Sequence, residues 1–179
     1  KYIKEVFLLI ICCFSLQFLY ARAIFMYNWG MMKPAKKVFV SGSKSISALS
    51  IEFLEHLFLA IQERSEILVG DCYGVDTAVQ KHLANINYPN VTVYCSGEKP
   101  RNFFVKKGNI HSCLDLSKGL SGREFQYVKD IEMSKDCDYG IALWDSKSIG
   151  TSENIKRLHA LGKKIIVCIV TEKDNHSIV

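Results

Sequence analysis

Proline is scarce in this 179-residue chain, with three residues, and glycine numbers only eleven. Collagen-like and Pro/Gly-rich low-complexity architectures are therefore excluded. Self-similarity with a period of about 20–50 residues is also lacking, which excludes solenoids and propellers. The seven cysteines, Cys12, Cys13, Cys72, Cys95, Cys113, Cys137 and Cys168, are odd in number and scattered. They form no CxxC pair, and no His stands at zinc-finger spacing from them, so neither a disulfide framework nor a metal site is expected. Cys95 and Cys168 lie in apolar runs where cysteine acts as a small hydrophobe, which points to a reducing, cytoplasmic compartment.

A broad excess of positive charge is missing as well. The formal net charge is +5, but residues 1–34 carry four Lys/Arg against one Glu, and residues 35–179 carry nineteen against seventeen acids. The body is close to neutral, so bulk attraction to nucleic acid is not favoured. What the chain does have is 49% hydrophobic residues, enough for one domain with a proper core.

The first 34 residues read differently from the rest. Lys1 and Lys4 precede an apolar run from Val6 to Leu19, followed by Ala21-Arg22-Ala23, a pattern resembling the charged, apolar and cleavage regions of a signal peptide. Three readings stay open: a leader or non-native extension, a membrane anchor, and a helix packed on the body or on a partner chain. A membrane partner follows only from the anchor reading, and an exported form only from a genuine leader. Residues 35–179 form the expected domain.

From Lys36 onward strands alternate with helices. Lys37–Ser41 is a β-branched run ending at Gly42, and Leu49, Phe53, Leu54, Leu57 and Ile61 then recur at helical spacing. Ile67–Val69, Val91–Tyr94, Tyr139–Trp144 and Lys164–Val170 supply further strands. Gly74–Ala84, Glu124–Lys135 and Thr151–Leu161 supply helices. This order predicts an α/β fold, a Rossmann-like three-layer domain whose mainly parallel sheet has about five or more strands. Ser96–Leu120 breaks the rhythm and is expected to be a long loop.

In such a sheet, ligands bind beyond the carboxyl ends of the strands. The loops there are Ser41–Ser45, Gly70–Asp76 and Asp145–Ser152, all rich in small and polar residues, and each opens a helix whose free amides attract phosphate. Taken singly, each loop is explained by turns and caps, because neither GxGxxG nor GxxxxGK[ST] is present. Three of them on one sheet edge favour an anion-binding site.

Val38-Phe-Val-Ser-Gly42, Gly70-Asp71, Gly74-Val-Asp76-Thr-Ala-Val79 and Asp138–Asp145, leading to Gly150-Thr151 and Gly162-Lys163-Lys164, resemble the SLOG superfamily. These are Rossmann-like proteins that include the DprA (Smf), LOG and YpsA/YspA-type families. The resemblance spans roughly Lys36 to Val170 and implies a pocket for a nucleotide or nucleoside phosphate, with Gly42, Ser43, Gly70, Gly74, Asp76, Gly150 and Thr151 at matching positions. Lys44 and Asp71 lie in the same loops. In the phosphoribohydrolase branch a Glu follows the Gly-Thr pair after two residues. Here Asn154 holds that place and Glu153 comes one residue early. An amide hydrogen-bonds a ribose hydroxyl but serves as neither nucleophile nor base. Glu153 and Asp145 are the candidate catalytic carboxylates, should the chain be an N-glycosidic hydrolase.

On the helix that begins near Gly122, the resemblance implies a basic residue facing the pocket, with Arg123 to clamp a phosphate and Lys129 to supply a point charge; a solvated helix face with i,i+3 or i,i+4 pairs explains the same residues equally well, and Tyr127 reads as core. Lys99-Pro-Arg-Asn-Phe-Phe-Val-Lys-Lys107 interleaves four basic residues with two aromatics, the composition of a single-stranded nucleic-acid contact and of a loop whose Phe103 and Phe104 pack back on the domain. The histidines, at 56, 82, 111, 159 and 176, are scattered, and Cys72 is assigned no role. The expected function is binding of a nucleotide or nucleoside phosphate, as a ligand sensor or processing enzyme. A LOG-like hydrolase and a DprA-like single-stranded DNA-binding module are the alternatives. No cofactor is expected, and a homo-oligomer is compatible with the chain.

Overall fold

The computed structural model describes residues 35–170, so the readings offered for residues 1–34 fall outside the described residues. In chain order the elements are β1 (Lys37–Gly42), α1 (Ile51–Gln62), β2 (Glu66–Val69), α2 (Val75–Asn85), β3 (Val91–Cys95), β4 (Asn109–Ser112), α3 (Leu114–Ser117), α4 (Gly122–Asp136), β5 (Tyr139–Trp144), α5 (Ile149–Ala160) and β6 (Lys164–Ile169). The six strands form one all-parallel sheet in the order β4-β3-β2-β1-β5-β6. No helix among the described residues is long and apolar enough to cross a membrane.

Right-handed crossovers account for the layers. Steps from β1 to β2 to β3 place α1 and α2 on one face, and steps in the opposite direction place α4 and α5 on the other. The alternation of β1 serves both faces. Val38 and Val40 pack with Phe53, Leu57, Val75 and Val79, whereas Phe39 packs with Val128, Met133 and Leu158. Central strands buried on both sides need such continuous apolar runs, which is why β1, β2 and β3 were legible as strands.

The stretch Ser96–Leu120 is not one long loop. It contains the edge strand β4, paired in parallel with β3 through Thr92–Asn109 to Cys95–Ser112, and the single-turn helix α3. All four β4 residues are exposed, so Asn-Ile-His-Ser carries no buried face whose periodicity could betray a strand.

Helix ends follow local chemistry. Ser50 Oγ accepts from Phe53 N at 3.3 Å and caps α1. At their C-termini α1, α2 and α5 share one motif, with Arg64 (φ 57°), Asn87 (φ 54°) and Gly162 (φ 68°) in the left-handed conformation. The following amides return to the helix: Ser65 N to Ala60 O, Tyr88 N to Leu83 O and Lys163 N to Leu158 O, all within 3.0 Å. Lys163 then points its ammonium at the end of α4, donating to the carbonyls of Ser134, Lys135 and Cys137. A cation at this negative end ties α4 to the turn before β6.

Only the left-handed backbone at Gly162 demands glycine, since a Cβ there meets nothing within 4 Å. Gly162→Ala is therefore expected to cost about 1 kcal/mol, and Arg64→Gly, which relieves the same conformation, to add up to about 1 kcal/mol. Urea denaturation of both variants checks the opposite signs.

Candidate functional site

The strand order reverses beside β1. The chain leaves β1 toward β2 on one side, and leaves β5 toward β6 on the other, so the loops after these neighbouring strands diverge. A cavity of about 510 Å³ opens there, a size suited to a small molecule. Its walls come from the end of β1 (Phe39, Ser41, Gly42), from Cys72 and Asp76, from α4 and from the start of α5.

Asp145 joins the two loops. Its Oδ1 accepts from Ser43 Oγ at 2.9 Å, Lys147 N at 3.0 Å and Ser148 N at 2.7 Å, and its Oδ2 accepts from Ser45 Oγ at 2.6 Å. Burial is the largest single influence and opposes the charge, but the four donors together outweigh it and hold the carboxyl well below the usual carboxylate range. A carboxylate so fully occupied shapes the loops and is a poor proton acceptor. Neither Asp145 nor Ser43 lines the cavity.

The deeper wall holds a buried trio. Lys129 Nζ donates to Asp130 Oδ1 at 2.6 Å, with side chains 4% and 12% exposed. Asp76 Oδ2 accepts from Cys72 N at 3.1 Å. Both Asp76 and Lys129 press on Gly70, where a Cβ would stand 2.3 Å from Asp76 Oδ2 and 2.7 Å from Lys129 Nζ. Burial alone would lower the Lys129 ammonium, but Asp130 and Asp76 hold it above its ordinary value. One ammonium thus serves two carboxylates. Asp76 is the one in excess, and burial pushes it up to about 6 despite Lys129.

Asp71 is turned elsewhere. Arg101 Nε and Nη2 grip its carboxylate at 3.0 and 2.6 Å, and the Arg101 backbone amide adds a third bond at 3.0 Å. Burial opposes the charge, yet Arg101 holds Asp71 below its ordinary value. Asn102 Nδ2 donates to Asp71 O, and Phe104 N to Gln80 Oε1, so the basic loop is fastened to the domain. Val105 enters the core, while Phe103 and Phe104 remain 40% and 41% exposed. Among the described residues, none of the loop 99–107 lines the cavity.

Of the residues expected at the site, Gly42, Lys44, Asp76, Arg123, Lys129, Gly150, Thr151 and Asn154 meet at one cavity. Asn154 is buried, donating from Nδ2 to Ser41 Oγ at 2.9 Å and accepting from Arg157 on Oδ1. Glu153 stands outside, its Oε1 paired with Lys156 Nζ at 3.0 Å on the outer side of α5. Gly70, Asp71 and Gly74 lie behind the wall. Gly74 (φ 77°) has room for no Cβ, because Ser43 O would lie 2.5 Å away. Tyr127, expected in the core, lines the cavity with Phe39 and Met133, and so does Asp130, to which the sequence assigned no role. Apolar residues on α4 carried no signal separating a cavity wall from a core.

The cavity rim is polarised toward anions. α4 begins at Gly122 and α5 at Ile149, and neither has a side-chain cap bond, unlike α1. Their first turns line the cavity, and Gly150 leaves open space where a side chain would stand. Lys44, Arg123, Lys129 and Lys147 against Asp76 and Asp130 give the lining two more cations than anions. No family model, curated protein or solved structure matches the chain.

The raised Asp76 gives a stability signature. Because its folded value of about 6 exceeds the ordinary 3.8, the native state holds this proton more tightly than the unfolded chain. Its contribution is full below about pH 4 and is lost as pH rises through about 6. Relative to Asp76→Asn, the wild type is expected to lose on the order of 2 kcal/mol of unfolding free energy between about pH 4 and pH 7. Paired denaturation curves at the two pH values check the sign.

Proposed function

We propose that this domain binds a nucleoside phosphate at the cleft beside β1 and β5. The observation that carries the reading is the convergence of two helix starts without side-chain caps, those of α4 and α5, on one cavity with an excess of basic lining residues. Free amides and the positive helix ends suit a phosphate, and Arg123 supplies a two-pronged donor beside them. Phe39, Tyr127 and Met133 offer an apolar wall for the base or sugar. Asn154 and Ser41 present polar atoms on the opposite wall. The resemblance to the SLOG superfamily supports the same ligand class.

Binding without N-glycosidic hydrolysis is the better-supported form of this reading. Glu153 is engaged by Lys156 on the outer side of α5, and Asp145 is saturated by four donors. The carboxylates that do line the cavity, Asp76 and Asp130, share one ammonium. For single-stranded DNA the support is weaker, since Arg101, the central cation of the basic loop, is consumed by Asp71.

A thermal-shift panel tests the proposal. Nucleoside monophosphates are expected to raise Tm, and the matching nucleosides to raise it less. Arg123→Ala, a change at an exposed residue, weakens the monophosphate by roughly 10–100-fold and leaves nucleoside binding nearly unchanged. Failure of every nucleotide to raise Tm would remove the reading. In the same samples, release of free base is expected to be negligible, and equal for wild type and Glu153→Gln.

A further inference from the structure

Glu52 and His56 stand four residues apart on α1, so both project from one side of that helix. Cys168, on β6, faces them. A carboxylate oxygen of Glu52, a ring nitrogen of His56 and the Sγ of Cys168 all lie within 4.8 Å of one another. Their exposure is graded, from Cys168 at 1% through half-buried His56 to exposed Glu52. Among the described residues none of these side chains makes a hydrogen bond or ion pair.

We propose that Glu52, His56 and Cys168 bind a divalent transition-metal ion of the zinc class, holding α1 to the edge strand β6. The donor set is one oxygen, one nitrogen and one sulfur, which suits a borderline-soft ion and disfavours calcium and magnesium. Three protein ligands leave the fourth tetrahedral position to water. Donor atoms sharing a tetrahedral zinc stand roughly 3.3–3.8 Å apart, so binding draws the three side chains together from the 4.8 Å within which they now stand. On binding, the Cys168 S–H bond breaks, a sulfur–metal bond forms and the proton leaves to solvent. The dication with one carboxylate, one thiolate and a neutral imidazole is then uncharged, which suits a half-buried place. Spacing along the chain could not reveal this set, because more than a hundred residues separate His56 from Cys168.

The site is separate from the nucleotide cleft. Cys168 belongs to the core beneath α1 and α2, whereas Phe39 of the cleft belongs to the core beneath α4 and α5.

Cobalt(II) titration of the chelator-treated full chain, followed by zinc competition, tests the site. The expected result is a thiolate-to-cobalt charge-transfer band that zinc abolishes. Zinc at about 100 times its dissociation constant is expected to raise Tm by roughly 5–10 °C. His56→Gln and Glu52→Gln, at partly exposed positions, are expected to keep the fold and to weaken cobalt binding by at least about tenfold each. Cys168→Ser removes the band, and should that core variant fail to fold, the two helix variants decide alone. No band in the wild type, or unchanged affinity in both helix variants, overturns the proposal; the latter result would assign the metal to other cysteines.

Discussion

A central strand flanked by neighbours whose chains depart in opposite directions leaves its exit uncovered. β1 is that strand, pairing with β2 through Val38–Ile67 and with β5 through Val40–Ile141. Everything at the cleft depends on this reversal, because it sends α2 to one face and α5 to the other and leaves their starts on either side of a gap. Asp145 then fixes how wide the gap is by tying the loop after β5 to Ser43 and Ser45 after β1. One of the two candidate catalytic carboxylates is thus the clasp of the two loops.

The acidic groups of the second loop are handled in two ways. Asp71 is neutralised by Arg101, a cation imported from the basic loop thirty residues onward, and this pairing packs that loop against the domain. Asp76 has no such private partner. It shares Lys129 with Asp130, and the surplus carboxylate accounts for its raised pKa. A buried ammonium beside a titrating carboxylate couples the pH response of the fold to the wall of the cleft.

The strands and the three-layer fold were legible because β1, β2 and β3 are buried on both faces and read as unbroken apolar runs. β4 was not, since an exposed edge strand needs no pattern; Asn109–Ser112 is held by its backbone ladder to β3, with Ser112 Oγ donating to Gly97 O and His111 stacked on Tyr94. The small residues of the loops after β1 and β2 also answer to close approach within the protein: Gly42, Gly70 and Gly74 lack Cβ atoms because of Val75, Asp76 and Ser43 respectively. Direction along a helix decided the rest. Asn154 faces inward to Ser41 and Glu153 outward to Lys156, a difference of about 100° that adjacent residues always show. Tyr127 and Asp130 were hidden because a cavity wall and a packed core draw on the same residues.

The most direct measurement of the central claim is an amide chemical-shift titration of the full chain with a nucleoside monophosphate. If phosphate docks on the starts of α4 and α5, the largest perturbations fall at Gly122, Arg123, Ile149, Gly150 and Thr151, and the corresponding nucleoside moves these amides less. Perturbations concentrated on Lys99–Lys107, or none at the two helix starts at saturating ligand, would contradict the account.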